Sequence, residues 1–256
     1  MTSWCVDAVL KQDSFGRVER LMGPGGELCL RRVAVGGRIP GSGQVARLLL
    51  GRERRALAAL RGLEGVPQLL EDEEAAAAAS LDGRVPPRGA VVVRQWLAGE
   101  ALHRASRLNE DFFDHLDELV EAVHLRGVCH NDLHKEQNIV VGEDGFPWLI
   151  DFQLASVHRG AGRRVESRRR DDLRHVQKHR RRYTRDGRGP VAAGAAHGRG
   201  LGVRRSPLAL LWRRLGKPVY NAVTRGLLRT RDGEERRDSS GPWPRWEGPL
   251  GPRGGT

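Results

Sequence analysis

Cysteine is scarce in this chain of 256 residues, which has only Cys5, Cys29 and Cys129. Three thiols cannot close a disulfide framework, and their spacing sets up no metal-ligand pair, so a disulfide-rich secreted module is excluded. The first residues lack the apolar core of a secretion signal, and a reducing, cytoplasmic setting is the expectation. No run approaches the roughly 18 consecutive apolar residues that a membrane span requires, which excludes an integral membrane protein. Aromatic residues make up only 5% of the chain, and no internal repeat is visible. The hydrophobic fraction of 39% is still enough for a sizeable core. At about 150 residues per domain, the length fits one large domain or two small ones.

Acidic residues are also outnumbered: 44 Lys and Arg against 32 Asp and Glu leave a formal net charge of +12. Such a balance attracts anions without choosing among nucleic acid, a lipid surface and nucleotide phosphates. Arginine dominates the basic set, and with 33 glycines and 13 prolines the composition also fits a GC-rich coding bias.

Short apolar runs alternate with polar turns through the first 70 residues. WCVDAVL, GRVERLM and ELCLRRV read as three strands, with GPGG as the hairpin breaker between the last two. QVARLLLGRERRALAALRGL then carries Leu48, Glu53, Leu57 and Leu60 at helical spacing, and Gly62, Gly65 and Pro67 end it. GVPQLL reads as a turn and a strand. The acidic, alanine-rich stretch after residue 70 is left open between a soft strand and a surface excursion. VVVRQWLAGEAL reads as a strand running into a connector. Asn109 is a credible cap for a helix that places Phe112, Phe113, Leu116, Leu119, Val120 and Val123 on one face, and Gly127 stops it. A helix is expected from about Asp171 to Tyr183. A flexible bridge follows, then a helix at 207–229 interrupted by Pro218, and a loosely ordered tail from 231.

The chemistry concentrates in CHNDLHKEQNIVV and FPWLIDFQLA, two short apolar runs joined by the turn GEDG. A helix, a loop and a β-hairpin in this order would bring Asp132, Asn138 and Asp151 into one cleft. Two carboxylates and a carboxamide make a hard oxygen site suited to Mg²⁺, which keeps waters and leans on substrate phosphates.

HNDLHKEQN followed by LIDFQLA resembles the protein-kinase-like fold, whose catalytic loop reads H-R-D-x-x-x-x-N and whose metal motif is D-F-G. The closer resemblance is to a bacterial branch near the RIO and lipopolysaccharide-kinase types of serine/threonine kinase. Two departures stand out: Asn138 lies six residues after Asp132 rather than five, and Gln153 replaces the glycine of the metal motif. From Asn138 to Asp151 the spacing is normal for kinases, which confines the insertion to the loop. The resemblance covers roughly residues 5–183 and implies an α+β, bilobal protein-kinase-like fold. Its parts would be a small antiparallel-sheet N-lobe (1–95), a reduced, mainly helical C-lobe (96–230) and a flexible tail (231–256).

It implies site residues as well. Asp132 would orient or deprotonate an acceptor hydroxyl, Asn138 and Asp151 would hold Mg²⁺ against ATP, and Lys135 would face the γ-phosphate. Gly16 and Val18 fall on the third glycine and the valine of the glycine-rich loop, whose first two glycine positions are Lys11 and Asp13. Glu53 is the helix glutamate. With Cys29 read in the alanine position, Arg31 falls on the strand lysine and Arg32 beside it. Arginine keeps the charge and can grip phosphate, but its fork has a different reach. Gln95, Trp96 and Leu97 would offer backbone groups to adenine. His130 would brace the loop, and Asp172, rather than its neighbour Asp171, would anchor it.

The implied reaction is ATP- and Mg²⁺-dependent phosphoryl transfer to a hydroxyl of unspecified class, on protein, sugar or lipid. The absence of an A-P-E segment argues against a regulated eukaryotic-type protein kinase. Arg31, the missing glycines and Gln153 keep a second reading open, a pseudokinase that binds anions or a partner. The Arg-rich run 159–188 would receive an anionic surface, or else is a solvated face. PLALLWRRLGKPVY offers Leu208, Leu210, Leu211, Trp212 and Leu215 flanked by Arg213, Arg214 and Lys217, for peripheral membrane contact or for packing on the C-lobe. Nothing beyond charge suggests specific nucleic-acid binding.

Overall fold

Period-two patterning in the first third of the chain becomes strands β1 (Cys5–Gln12), β2 (Gly16–Met22) and β3 (Leu28–Ala34), joined later by β4 (Val91–Gln95). They form one antiparallel sheet in the order β1-β2-β3-β4. The computed structural model of the chain describes residues 3–13, 15–36, 41–106 and 108–184. The helix expected at 207–229, its Leu208–Leu215 apolar stretch, and the tail lie outside the described residues.

The register sorts the sheet into two faces. Val18 stands opposite Arg32 and Glu19 opposite Arg31; on the other side of β3, Leu30 pairs with Arg94 and Arg31 with Val93. Because successive side chains point to opposite faces, Arg31 and Arg32 must part company. One face packs Leu21, Cys29 and Val93 against Ala75 and Ala78. Ala75 belongs to α2 (Glu73–Ala77), a short helix capped by Asp72, which accepts from Ala75 N at 2.8 Å. This helix resolves the alanine-rich stretch that the sequence left open. The other face carries Arg32 and Arg94 against α1 (Ser42–Ala59), whose Glu53 lies within reach of both.

Helix α1 buries Glu53 and Leu57 as expected, with Leu60 just beyond its end, together with Ser42, Ala46, Leu50 and Ala56; of the expected face only Leu48 is exposed. The buried spacing of three and four puts Glu53 in an otherwise apolar seam. GVPQLL forms no strand; it contributes only the isolated bridge between Leu69 and Arg94.

The remainder is built on α3 (Phe112–Leu125) and α4 (Arg163–Tyr183), with β5 (Gly99–Ala101), β6 (Val128–Cys129), β7 (Ile139–Gly142), β8 (Pro147–Leu149) and β9 (Ser156–Val157) forming the small sheets β5-β7-β8 and β6-β9. All six apolar residues expected on one face of α3 are buried, and they join Leu133, Ile139, Leu149, Phe152, Val176 and Tyr183 in the larger core. The cap position of α3 is Asp111, not Asn109. The Asn109 amide instead donates to Gly145 O in the β7–β8 turn at 3.4 Å. After α3 the chain turns at Gly127 with φ +77°, and a Cβ there would lie 2.4 Å from His158 O, so only glycine fits. Helix α4 begins at Arg163, well before the expected start near Asp171. Its buried residues include Val165, Asp172, Val176, His179 and Tyr183, while its arginines fill most of the outer face. This part of the Arg-rich run is thus the polar side of an amphipathic helix. Among the described residues no helix is long and apolar enough to cross a membrane.

Candidate functional site

Two short strands hold the loop 130–138, and α4 clamps it at both ends. At the first end Asp172, 1% exposed, accepts from His130 N at 2.8 Å and Asn131 N at 2.9 Å, with His124 Nε2 at 3.1 Å. Asp172 thus ties the loop start to α4, while Asp171 points outward to Arg174. Asn131 adopts φ +65°, a left-handed conformation that asparagine tolerates better than most residues. Its amide donates to Leu154 O at 2.9 Å and Ser156 Oγ at 3.1 Å. His130 Nε2 donates to Ile150 O at 3.0 Å, and the ring lies 4.7 Å from that of Phe152. His130 thereby fixes the loop to the segment that carries Asp151.

The second clamp was not foreseen. Glu136, 2% exposed, accepts from Tyr183 OH at 2.9 Å and Arg182 Nη1 at 3.0 Å, while His179 Nε2 donates to Leu133 O at 2.8 Å. Burial alone would raise the Glu136 carboxyl, but His179, Tyr183 and Arg182 outweigh it and hold it below its usual range. Only the placement of apolar and ring residues at 176, 179 and 183, one helical face, could have signalled this from sequence.

Between the clamps, Asn138 Nδ2 donates to Asp132 O and to Asp132 Oδ2, both at 3.0 Å. A 3-10 turn at Glu136–Asn138 brings Asn138 back to Asp132, six residues before it in the chain. Asp132 also meets His134 Nδ1 at 3.1 Å and Lys135 Nζ at 3.2 Å. Burial opposes its ionisation, yet the His134 hydrogen bond and the Lys135 charge prevail and keep its carboxyl below the ordinary value. Asn138 O accepts from Ile150 N at 3.0 Å, which sets Asp151 just beyond the paired strands. Asp151 is left-handed, with φ +65°. Burial would raise its carboxyl; the Arg32 guanidinium more than offsets this and holds it low, against the opposing charge of Asp132.

Arg31, expected to be the cation beside Glu53, does not pair with it. It lies on the α2 face, fully buried, with Nε and Nη2 on Glu19 Oε2 at 2.9 and 2.7 Å. Its Nη1 donates to Ala78 O at 2.6 Å and Ala75 O at 3.0 Å. Arg32 is the residue that faces the site. Its Nε lies 3.4 Å from Glu53 Oε2, and its Nη1 donates to Asp151 Oδ1 at 3.3 Å. Strand parity is the reason: neighbouring residues of β3 point to opposite faces, so the partner of Glu53 is Arg32 and not the expected Arg31. Glu53 is fully buried and shared with a second guanidinium, since Arg94 Nε lies 3.5 Å from its Oε1. Arg94 went unnoticed in the sequence because it reads as one polar residue at the end of VVVRQ.

Other expected contacts are only partly present. Val18 stands opposite Arg32, on the site face. Gly16 opens β2, where a Cβ would lie 3.2 Å from Val33 O, so close packing is one reason for glycine there. Its N–H and that of Phe15 both donate to Asp13 Oδ1 at 2.8 Å. A carboxylate thus holds two amides that a glycine-rich loop would turn toward phosphate. Gln95 is the last residue of β4, and its N–H donates to Gln68 O at 2.8 Å, so only its carbonyl is left to offer. Trp96 packs under Arg20, whose Cζ lies 5.4 Å from the ring centroid, and Leu97 is half-buried in the connector after it. His124, Cys129 and Asp172 have ligand atoms within 4.8 Å of one another. Both Asp172 oxygens serve the loop amides, so this cluster joins the loop to α3 and α4.

No family model matches the chain. In a match 127 positions long that covers 45% of the chain, it is 34% identical to the probable SapB synthase of Streptomyces coelicolor. The matched stretch spans 13% of that protein.

Proposed function

We propose that the chain is a bilobal, protein-kinase-like phosphotransferase of the bacterial branch named above, moving the γ-phosphoryl of ATP to a hydroxyl acceptor. The observation that carries this reading is the Asn138 amide on Asp132 Oδ2, with Asp151 placed by the next strand pair. His130, Asp132, Asn138 and Asp151 follow one another in the order that the resemblance requires. The likeness to part of a synthase leaves the acceptor open, as protein, sugar or lipid, and the cytoplasmic setting remains part of the proposal.

The donor set suits Mg²⁺. Both contacts of the Asn138 amide nitrogen go to Asp132, leaving its Oδ1 as an oxygen donor, and Asp151 adds an ionised carboxylate. When bound, the metal would draw charge from the phosphate oxygens. The chain's own residues do the rest. Ionised Asp132 accepts a hydrogen bond from the acceptor hydroxyl and takes its proton as the new P–O bond forms and the β–γ bridging oxygen departs with ADP. Lys135 steadies Asp132 and adds positive charge beside the incoming phosphoryl group. Arg32 supplies the charge that a kinase lysine would give.

The catalytically weak reading has its own support: Asp13 takes the loop amides, and Arg32 takes an oxygen of Asp151. Calorimetric titration of ATP with and without Mg²⁺, on the wild type and on Asp151→Asn, separates the two. The phosphotransferase reading predicts micromolar, Mg²⁺-dependent binding that weakens in the variant. No binding by folded wild-type protein overturns it.

A further inference from the structure

We infer that Arg32, Glu53 and Arg94 form a charge exchange that makes the site accept a divalent cation and a phosphate together, and resist the cation alone. The inference rests on the reading above in taking Asp151 as a cation ligand.

Three observations lead there. First, the guanidinium of Arg32 sits on the oxygen that a cation would need, with Nη1 3.3 Å from Asp151 Oδ1. A fixed internal counter-ion competes with any added cation for that carboxylate. Second, its contacts are loose. Both ion pairs of Glu53 are 3.4–3.5 Å long, and neither Glu53 oxygen, nor Nε of Arg32 or Arg94, has a hydrogen-bond partner although all are buried. Charge-assisted hydrogen bonds are ordinarily 2.7–2.9 Å, and the Arg31–Glu19 pair on the opposite face meets that standard. Third, there are two guanidiniums for one glutamate. If Arg32 turned to an incoming phosphate, Glu53 would keep Arg94 and not be left as a lone buried charge. Burial pushes the Arg94 guanidinium toward losing its proton and Arg32 adds to the push, so departure of Arg32 also relieves Arg94.

Here Arg94 is the positioning residue that holds Glu53 while Arg32 moves. Release of Asp151 by Arg32 then coincides with the arrival of phosphate, and the freed carboxylate takes the cation.

Mn²⁺ serves as the probe, its free concentration read by electron paramagnetic resonance on the full chain without nucleotide. Arg32→Met should bind Mn²⁺ about tenfold more tightly than wild type, or better, and adding Asp151→Asn should abolish the gain. Saturating pyrophosphate should raise Mn²⁺ affinity in the wild type, less in Arg94→Met, and least in Arg32→Met. Should Arg32→Met fail to fold, Arg32→Lys keeps a charge near Glu53 on a shorter reach, and should likewise bind Mn²⁺ more tightly. Equal Mn²⁺ affinity in wild type and a folded Arg32 variant, or a gain that survives Asp151→Asn, overturns the inference. The two readings fail separately. ATP binding with unchanged Mn²⁺ affinity removes only the charge exchange, while tighter Mn²⁺ binding by the variant without ATP binding to the wild type removes only the ATP assignment.

Discussion

Arg31 and Arg32 are neighbours on one strand, yet the sheet gives them opposite fates. On the α2 face Arg31 is bound by Glu19 and by the carbonyls of Ala75 and Ala78 at 2.6–3.0 Å. On the α1 face Arg32 is divided between Glu53 and Asp151 at 3.3–3.4 Å, and its partner Glu53 is divided again with Arg94. A buried charge whose hydrogen bonds are all made is a fixture, because any movement leaves orphaned groups. A buried charge with long contacts and two partners can be redirected at small cost. The difference marks the first arginine as architecture and the second as part of the site.

The sharpest way to break this comparison is to remove each guanidinium in turn. Arg31→Met should cost about 3–5 kcal/mol in urea denaturation, the range for stripping one partner from a buried ion pair. Arg32→Met should cost less than about 2 kcal/mol, since Glu53 keeps Arg94. Equal losses would mean that the two faces do not differ in the way described. A smaller effect is expected at the loop anchor. Asp172→Asn should cost roughly 1–3 kcal/mol, because one of its oxygens becomes a donor facing a backbone N–H; Asp171→Asn, on the exposed side of the same helix, should stay within about 0.5 kcal/mol. The smallest effect concerns pH. Asp132, Glu136 and Asp151 have carboxyls held below their ordinary values. The stability they contribute is complete above the ordinary carboxylate range near pH 4 and is lost as pH falls through their depressed folded values. Denaturation midpoints followed from pH 6 downward should therefore decline only below about pH 4. Glu136→Gln should flatten part of that decline, and an unchanged slope would remove Glu136 from the set.

Much of the site was legible because it is local. The loop from His130 to Asn138 and the strand pair before Asp151 lie within one stretch of sequence, and the extra residue was visible as spacing. Asp172 was also within reach, as a carboxylate on the next helix. What sequence misplaced depended on sheet parity. Reading Arg31 as the cation of the site needed the alignment of one strand to be right within a single residue, and a shift of one moves a side chain through the sheet. Arg94 and Glu136 were missed for another reason: each acts only through partners far away in sequence, Glu53 for one and Tyr183 for the other. Periodicity located the strands and the α3 face, and the α+β content that the resemblance implied is present, whereas helix boundaries moved where capping gave way to tertiary contacts, as at Asn109.

The account stands or falls on whether the Asp132 end of the loop performs phosphoryl transfer. ADP formation from Mg²⁺-ATP, measured with folded wild type and Asp132→Asn, tests this directly. The account predicts that the rate falls by about 10²–10⁴-fold in the variant, the usual contribution of a positioned base, while ATP affinity changes by less than about threefold, because Asp132 serves the reaction and not nucleotide binding. Equal rates of ADP formation in two proteins that bind Mg²⁺-ATP equally well would contradict it.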